Sequence, residues 1–134
     1  MVIDTSGAFA VLTGEPGSES MVEALAGSAE LLMSAGTTVE LGIVFEARYG
    51  PAGGSIIERF IREAGIEIVS VDRDQADRAL EGWRRFGKGR HPAGLNFGDC
   101  FTYALGVSTG YPVLCVGTEF AQAGMQVVVP GTEE

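Results

Sequence analysis

The sequence contains one histidine and two cysteines in 134 residues. A lone histidine excludes a histidine-built zinc centre and leaves a serine–histidine–aspartate triad poorly supported. The thiols, Cys100 and Cys115, stand too far apart for a Cys-x-x-Cys motif. One falls in an expected helix and the other in an apolar strand, so both read as buried free thiols. No apolar run approaches the roughly 18–20 residues that cross a bilayer. No basic segment opens the chain, and Met1-Val2-Ile3 reads as a strand, so no secretory leader is expected and the cytoplasm is the expected compartment. Positive charge is also scarce, with nine Lys and Arg against eighteen Asp and Glu for a net charge of −9. That balance excludes a general nucleic-acid coat, which needs a basic surface against phosphate.

The few cations are unevenly placed. All lie between Arg48 and Arg90, and Arg84, Arg85, Lys88 and Arg90 crowd together at the end of that span. Such a cluster is either a solvated helix face running into a loop or a local grip on phosphate. Hydrophobic residues at 46% and charged residues at 20% mark a globular chain, long enough for one core, so residues 1–134 are expected to form a single domain.

Strand and helix patterns alternate along the chain. Strands are expected at 1–4, 31–33, 66–71, 112–116 and 125–129. Helices are expected at 6–12, 18–26, 37–49, 54–64, from 72 or 73 to 86, and at 96–107. Gly87 to Gly94 reads as a glycine-punctuated loop. Alternation of this kind predicts an α/β fold, three layers deep, with a mostly parallel central sheet flanked by helices.

Acids recur where that fold would gather them. Asp4 closes the first apolar run, Glu40 and Asp99 stand near helix starts, and Glu119 follows a late strand. In a parallel sheet, the C-terminal strand ends and the loops and helix starts beyond them share one edge. Hard divalent cations take such oxygen donors, and those cations can run phosphodiester hydrolysis. Plainer readings exist for each acid. Asp4 is a potential helix cap; Thr37-x-x-Glu40 and Asn96-x-x-Asp99 have the form of capping boxes; Glu119 after Gly117-Thr118 suits a turn. His91 reads as a loop residue. Trp83 and Phe86 read as core or partner-facing residues rather than a stacking platform.

Taken in order, several segments resemble the PIN-domain nucleases, and among them the VapC ribonuclease toxins. They are Met1-Val2-Ile3-Asp4-Thr5-Ser6, Leu12 through Glu15-Pro16, Thr38-Val39-Glu40, Glu46-Ala47-Arg48-Tyr49-Gly50, and Phe86 through Phe101 with Asn96-Phe97-Gly98-Asp99 at its heart. The resemblance implies an endoribonuclease using Mg2+ or Mn2+, with Asp4, Glu40 and Asp99 as metal-binding acids. Glu119 occupies the place of a further acid, as Glu where Asp is common. Ala123-Gly124 stand where another acid often follows. Gly7 replaces a usual alanine, which predicts a looser first turn.

On this reading Thr5 or Ser6 would orient a metal-bound water, and Asn96 would contact phosphate or position Asp99. Lys88 and Arg90 would hold the RNA backbone. The resemblance also implies a homodimer and a VapB-type antitoxin. The N-terminal helices, with Phe9, Leu12, Met21, Val22 and Leu25, are expected to offer an apolar surface to a partner. Two other classes are weighed beside it. One is a PIN-like RNA- or protein-binding module weakened in catalysis by its Gly117-Thr118-Glu119-Phe120 corner. The other is a phosphoacceptor receiver domain, disfavoured because no lysine follows Lys88.

Overall fold

The computed structural model describes residues 1–131; the last three residues of the expected domain lie outside them. Five short strands, β1 (Val2–Ile3), β2 (Leu32–Ser34), β3 (Glu67–Val69), β4 (Val113–Leu114) and β5 (Val127–Val128), form one sheet in the order β3-β2-β1-β4-β5. Every pairing is parallel, and Val2 of the central strand stands opposite Leu32 on one side and Val113 on the other. The helices are α1 (Thr5–Thr13), α2 (Ser18–Gly27), α3 (Ala35–Tyr49), α4 (Ala52–Ala64), α5 (Arg73–Phe86), α6 (Phe97–Thr109) and α7 (Glu119–Gln122). Among the described residues no helix is long and apolar enough to cross a membrane.

The pleat splits the core in two. Successive strand side chains point to opposite faces, so Ile3, Met33 and Leu114 pack with Met21, Leu41 and Phe45 on one face. Val2, Leu32 and Val113 pack with Leu95, Tyr103 and Leu105 on the other. Helices on both sides of a parallel sheet make the expected three layers. The chain runs from β1 outward through β2 to β3, then crosses to β4 and β5 on the opposite side. That reversal is a topological switch point, where the C-terminal strand ends leave a crevice. Asp4 follows β1 at this crevice.

Several local expectations are corrected. The helix expected from Thr37 begins at Ala35, because the Ser34 side chain accepts from the Gly36 N–H at 3.2 Å and caps it earlier. Thr37 is therefore buried inside α3, and the Thr37–Glu40 capping box does not form. Along α3, Leu41 and Phe45 turn inward, whereas the apolar Val39 and Ile43 point to solvent. The N-terminal surface is smaller than expected as well. Met21 and Leu25, one turn apart on α2, face the core and leave Val22 exposed. The strand expected over 66–71 shortens to Glu67–Val69 at the sheet edge, and four-residue α7 is too short to leave a periodic signal.

Gly7 does not loosen its turn. A Cβ there would stand 2.3 Å from the Leu114 carbonyl oxygen. The missing side chain lets α1 lie directly on the β4 backbone and brings β1, its helix and β4 together beneath the crevice.

Candidate active site

At the crevice lies a cavity of about 400 Å³ whose lining includes Asp4, Thr5, Ser6, Glu15, Glu40, Asn96 and Asp99. Thus Asp4, Glu40 and Asp99, far apart in the chain, reach one space from β1, α3 and α6. No Lys or Arg is among the lining residues.

Asp4 is only 3% exposed, deeper than an acid at a bare strand tip would be. Three donors offset the cost of that burial. The Ser6 hydroxyl and backbone N–H both donate to Oδ2, at 2.6 and 3.1 Å, and the Thr102 hydroxyl donates to Oδ1 at 2.6 Å. Ser6 N–H is also the helix-capping bond of α1, so cap and candidate ligand are the same side chain. The Ser6 hydroxyl in turn accepts from the Val116 N–H at 3.0 Å, tying the loop after β4 to the same acid.

Glu40 reaches the cavity from the second turn of α3. Its Oε1 accepts from the Thr5 hydroxyl at 2.5 Å. Its other oxygen lies over the start of α6, where a Cβ on Gly98 would stand 1.9 Å away. Only a glycine at that position leaves room for the carboxylate.

Asp99 sits at the third position of α6 in a complete capping box with Asn96. Its N–H donates to Asn96 Oδ1 at 2.9 Å, and its Oδ2 accepts from the Asn96 N–H at 3.0 Å. Burial pushes its carboxyl up to about 6, against the lowering effect of the Asn96 bond, and the charges of Asp4, Glu119 and Glu40 push the same way. Behind the site, burial and then Asp4, Glu119 and Asp99 push the Cys115 thiol up to about 12. Burial and Asp99 push Cys100 up to about 11. Both cysteines are free, buried and held as thiols.

Glu119 does not line the cavity. It opens α7, curled over Gly117, close enough for its charge to act on Asp99. Lys88 and Arg90 stand outside as well. Lys88 lines a neighbouring groove with Trp83, Phe97 and Asn96, the last shared with the acidic cavity. Arg90 stacks over Trp83 at 4.6 Å and donates to the Arg84 carbonyl. His91 is a loop residue whose Nδ1 accepts from the Ala93 N–H. Phe86 packs against His91 and Tyr103, and Trp83 is half exposed.

Sequence reading passed over Glu15, Gly98 and Thr102. Glu15 was visible only within the Glu15-Pro16 segment, where it reads as a turn residue. The other two take their place from partners remote in the chain and carry no local signal.

Among the described residues no group of three or more acids, histidines or cysteines is placed to hold a metal ion as it stands. The donor chemistry nevertheless fits a hard cation. Four carboxylates, those of Asp4, Glu15, Glu40 and Asp99, line one space with no basic side chain among its walls, and repulsion from Asp4 and Glu40 contributes to the raised proton affinity of Asp99. Mg2+ takes a few carboxylates and fills its remaining positions with water and phosphate oxygens.

The PIN domain family model matches residues 1–125. The Ribonuclease VapC of Mycolicibacterium smegmatis is 47% identical over 120 residues, covering 90% of this chain and 93% of that protein. Ribonuclease VapC30 of Mycobacterium tuberculosis is 41% identical over 128 residues, 96% of this chain and 98% of that one. Among solved structures, the sarcin-ricin loop cleaving toxin VapC20 of M. tuberculosis matches with a TM-score of 0.78 at 18% identity, over 96% of this chain and 98% of that one. DNA-bound VapBC from Salmonella typhimurium matches with a TM-score of 0.73 at 19% identity, over 96% of each chain. At those identities the solved structures speak for the fold. The chain belongs to the PIN-domain family and, within it, to the VapC ribonucleases.

Proposed function

We propose that this chain is the endoribonuclease toxin of a toxin–antitoxin pair, hydrolysing RNA phosphodiester bonds at the acidic cavity with Mg2+ or Mn2+. The observation that carries the reading is the meeting of Asp4, Glu40 and Asp99 in a cavity without a lining cation. When bound, the ion supplies a Lewis acid for the phosphoryl oxygen and lowers the proton affinity of an attacking water.

The side chains divide the remaining work. Asp4, held by three donors, offers the ion one of its roughly four lone-pair directions. Glu40 and Asp99 would supply the other carboxylates, in their ionised form. Thr5 and Ser6 spend their protons on Glu40 and Asp4 and keep oxygen lone pairs to accept from water. The Asn96 side chain caps α6 through its Oδ1, which leaves its NH2 group to donate to a phosphate oxygen. Glu119, outside the cavity wall but near enough for its charge to act on Asp99, would help recruit a second ion. Lys88, in the adjoining groove, and Arg90, stacked over the groove-lining Trp83, hold the RNA backbone.

Partners follow from the surface. A VapB-type antitoxin, bringing a basic side chain to these acids, suits a chain of net charge −9. The solved Salmonella typhimurium VapBC supports such pairing. A second copy of the chain fits the apolar rim beside the cavity, where Val39, Ile43 and the 80%-exposed Phe97 lie together. The cytoplasm suits its free thiols.

Brief expression followed by mapping of RNA ends tests the activity. Wild type should create discrete new ends that Asp4→Asn, folded to the same melting temperature within a few degrees, does not. Identical end maps from both proteins would reject the reading in favour of a binding module.

A further inference from the structure

Thr37 and Thr102 are buried, at 1% and 0% exposure, in a core whose other members are almost all apolar. Two hydroxyls in such surroundings need partners. Thr102 Oγ1 lies 2.6 Å from Asp4 Oδ1, and Thr37 Oγ1 lies 3.4 Å from Thr102 Oγ1. A hydroxyl has one proton, and an ionised carboxylate can only accept. The Thr102 proton is therefore committed to Asp4, which leaves Thr37 as the donor in the second bond. The chain of donation runs from Thr37 to Thr102 to Asp4 in one direction.

The positions of these threonines give the chain its meaning. Thr37 precedes Glu40 by three residues on α3, and Thr102 follows Asp99 by three residues on α6. Residues three apart share one face of a helix. Each threonine thus sits one turn below an acid of the cavity, on the side facing β1. The donation chain joins the three elements that carry the three acids.

Resting on the metal-dependent reading of this cavity, we propose that Thr102, backed by Thr37, is a positioning residue. It fixes the orientation of Asp4 and couples the spacing of Asp4, Glu40 and Asp99. Ser6 holds one Asp4 oxygen and Thr102 the other, so the carboxylate cannot rotate. It meets a cation in one pose. Without the Thr102 hydroxyl, Oδ1 loses its partner, Asp4 turns, and α6 loses its polar tie to β1. Hydrogen-bonded groups behind metal-ligating carboxylates commonly set affinity in this way.

Calorimetric titration of the full chain with Mn2+ tests the inference, with metal-free thermal melts as a check on folding. Thr102→Val keeps the shape and removes the hydroxyl; it should bind Mn2+ roughly tenfold or more weakly than wild type. Thr102→Ser restores the donor and should recover wild-type affinity. Thr37→Val, one bond further back, should show a smaller loss. A Thr102→Val protein that melts lower yet binds Mn2+ within about twofold of wild type would make the residue merely structural and overturn the proposal. If Thr102→Val does not fold, Thr37→Val decides, and wild-type affinity there overturns it equally. Asp4→Asn separates the two levels. Wild-type binding that Asp4→Asn abolishes but Thr102→Val preserves removes the positioning role alone. A wild type that takes up no Mn2+ removes the metal reading and this one with it.

Discussion

Asp99 is where the competing demands on the site meet. It completes the cap of α6, shares a cavity with three other acids, and is pushed up to about 6, first by burial and then by neighbouring charge. A carboxyl raised above its unfolded value binds protons more readily in the folded state. Its stability cost is absent below about pH 4, grows as pH rises to 6, and is complete above that. The group remains partly exposed, so solvent screening reduces the size of the effect. The metal-free protein should therefore gain stability from this group as pH falls from 7 to 5. Asp99→Asn keeps an oxygen for the Asn96 N–H and removes the charge. Thermal melts in chelator should show it a few degrees more stable than wild type at pH 7, with a flatter pH dependence between 5 and 7. An unaltered slope would contradict the assignment of that charge.

At the scale of elements, the active-site edge is built from helix starts. Asp4 caps α1 and Asn96 caps α6, both by local patterns legible in the sequence, because a cap needs only neighbours a few residues away. The start of α3 lies ahead of Thr37 for a related reason. Ser34 ends a buried strand and caps the following helix at once, and Thr37-x-x-Glu40 imitated a cap further on. Correcting the start frees Glu40 from a backbone role and turns it into the cavity. The contact that holds it there could not be read locally, since Gly98 matters only because α3 and α6 converge. Gly98→Ala should leave stability within about 1 kcal/mol, as alanine is the better helix former, while pushing the flexible Glu40 carboxylate out of place. RNA cleavage should fall by roughly tenfold or more at unchanged melting temperature. Full activity in that variant would show that the Glu40 position is unimportant.

For the whole molecule, strand–helix alternation was enough to specify a parallel three-layer sheet and the edge where acids collect. It did not specify which apolar residues stay outside. Val39 and Ile43, one turn apart, form a second apolar row across α3 from Leu41 and Phe45; helical period separates the two rows, and the tertiary arrangement decides that this one stays exposed beside Phe97. If that rim joins two copies, light scattering should find wild type as a dimer and Phe97→Asp as a folded monomer, because a charge in an apolar contact goes unpaired. A wild-type monomer at micromolar concentration would contradict the use of this surface. Charge is organised at the same scale, with acids at the cavity and cations in the adjoining Lys88–Arg90 segment. The most direct measurement is cleavage of cellular RNA by the purified chain with Mg2+, with chelator, and by Asp99→Asn with Mg2+. Discrete products from the first reaction alone are the predicted result; equal cleavage in chelator or by Asp99→Asn would contradict the account.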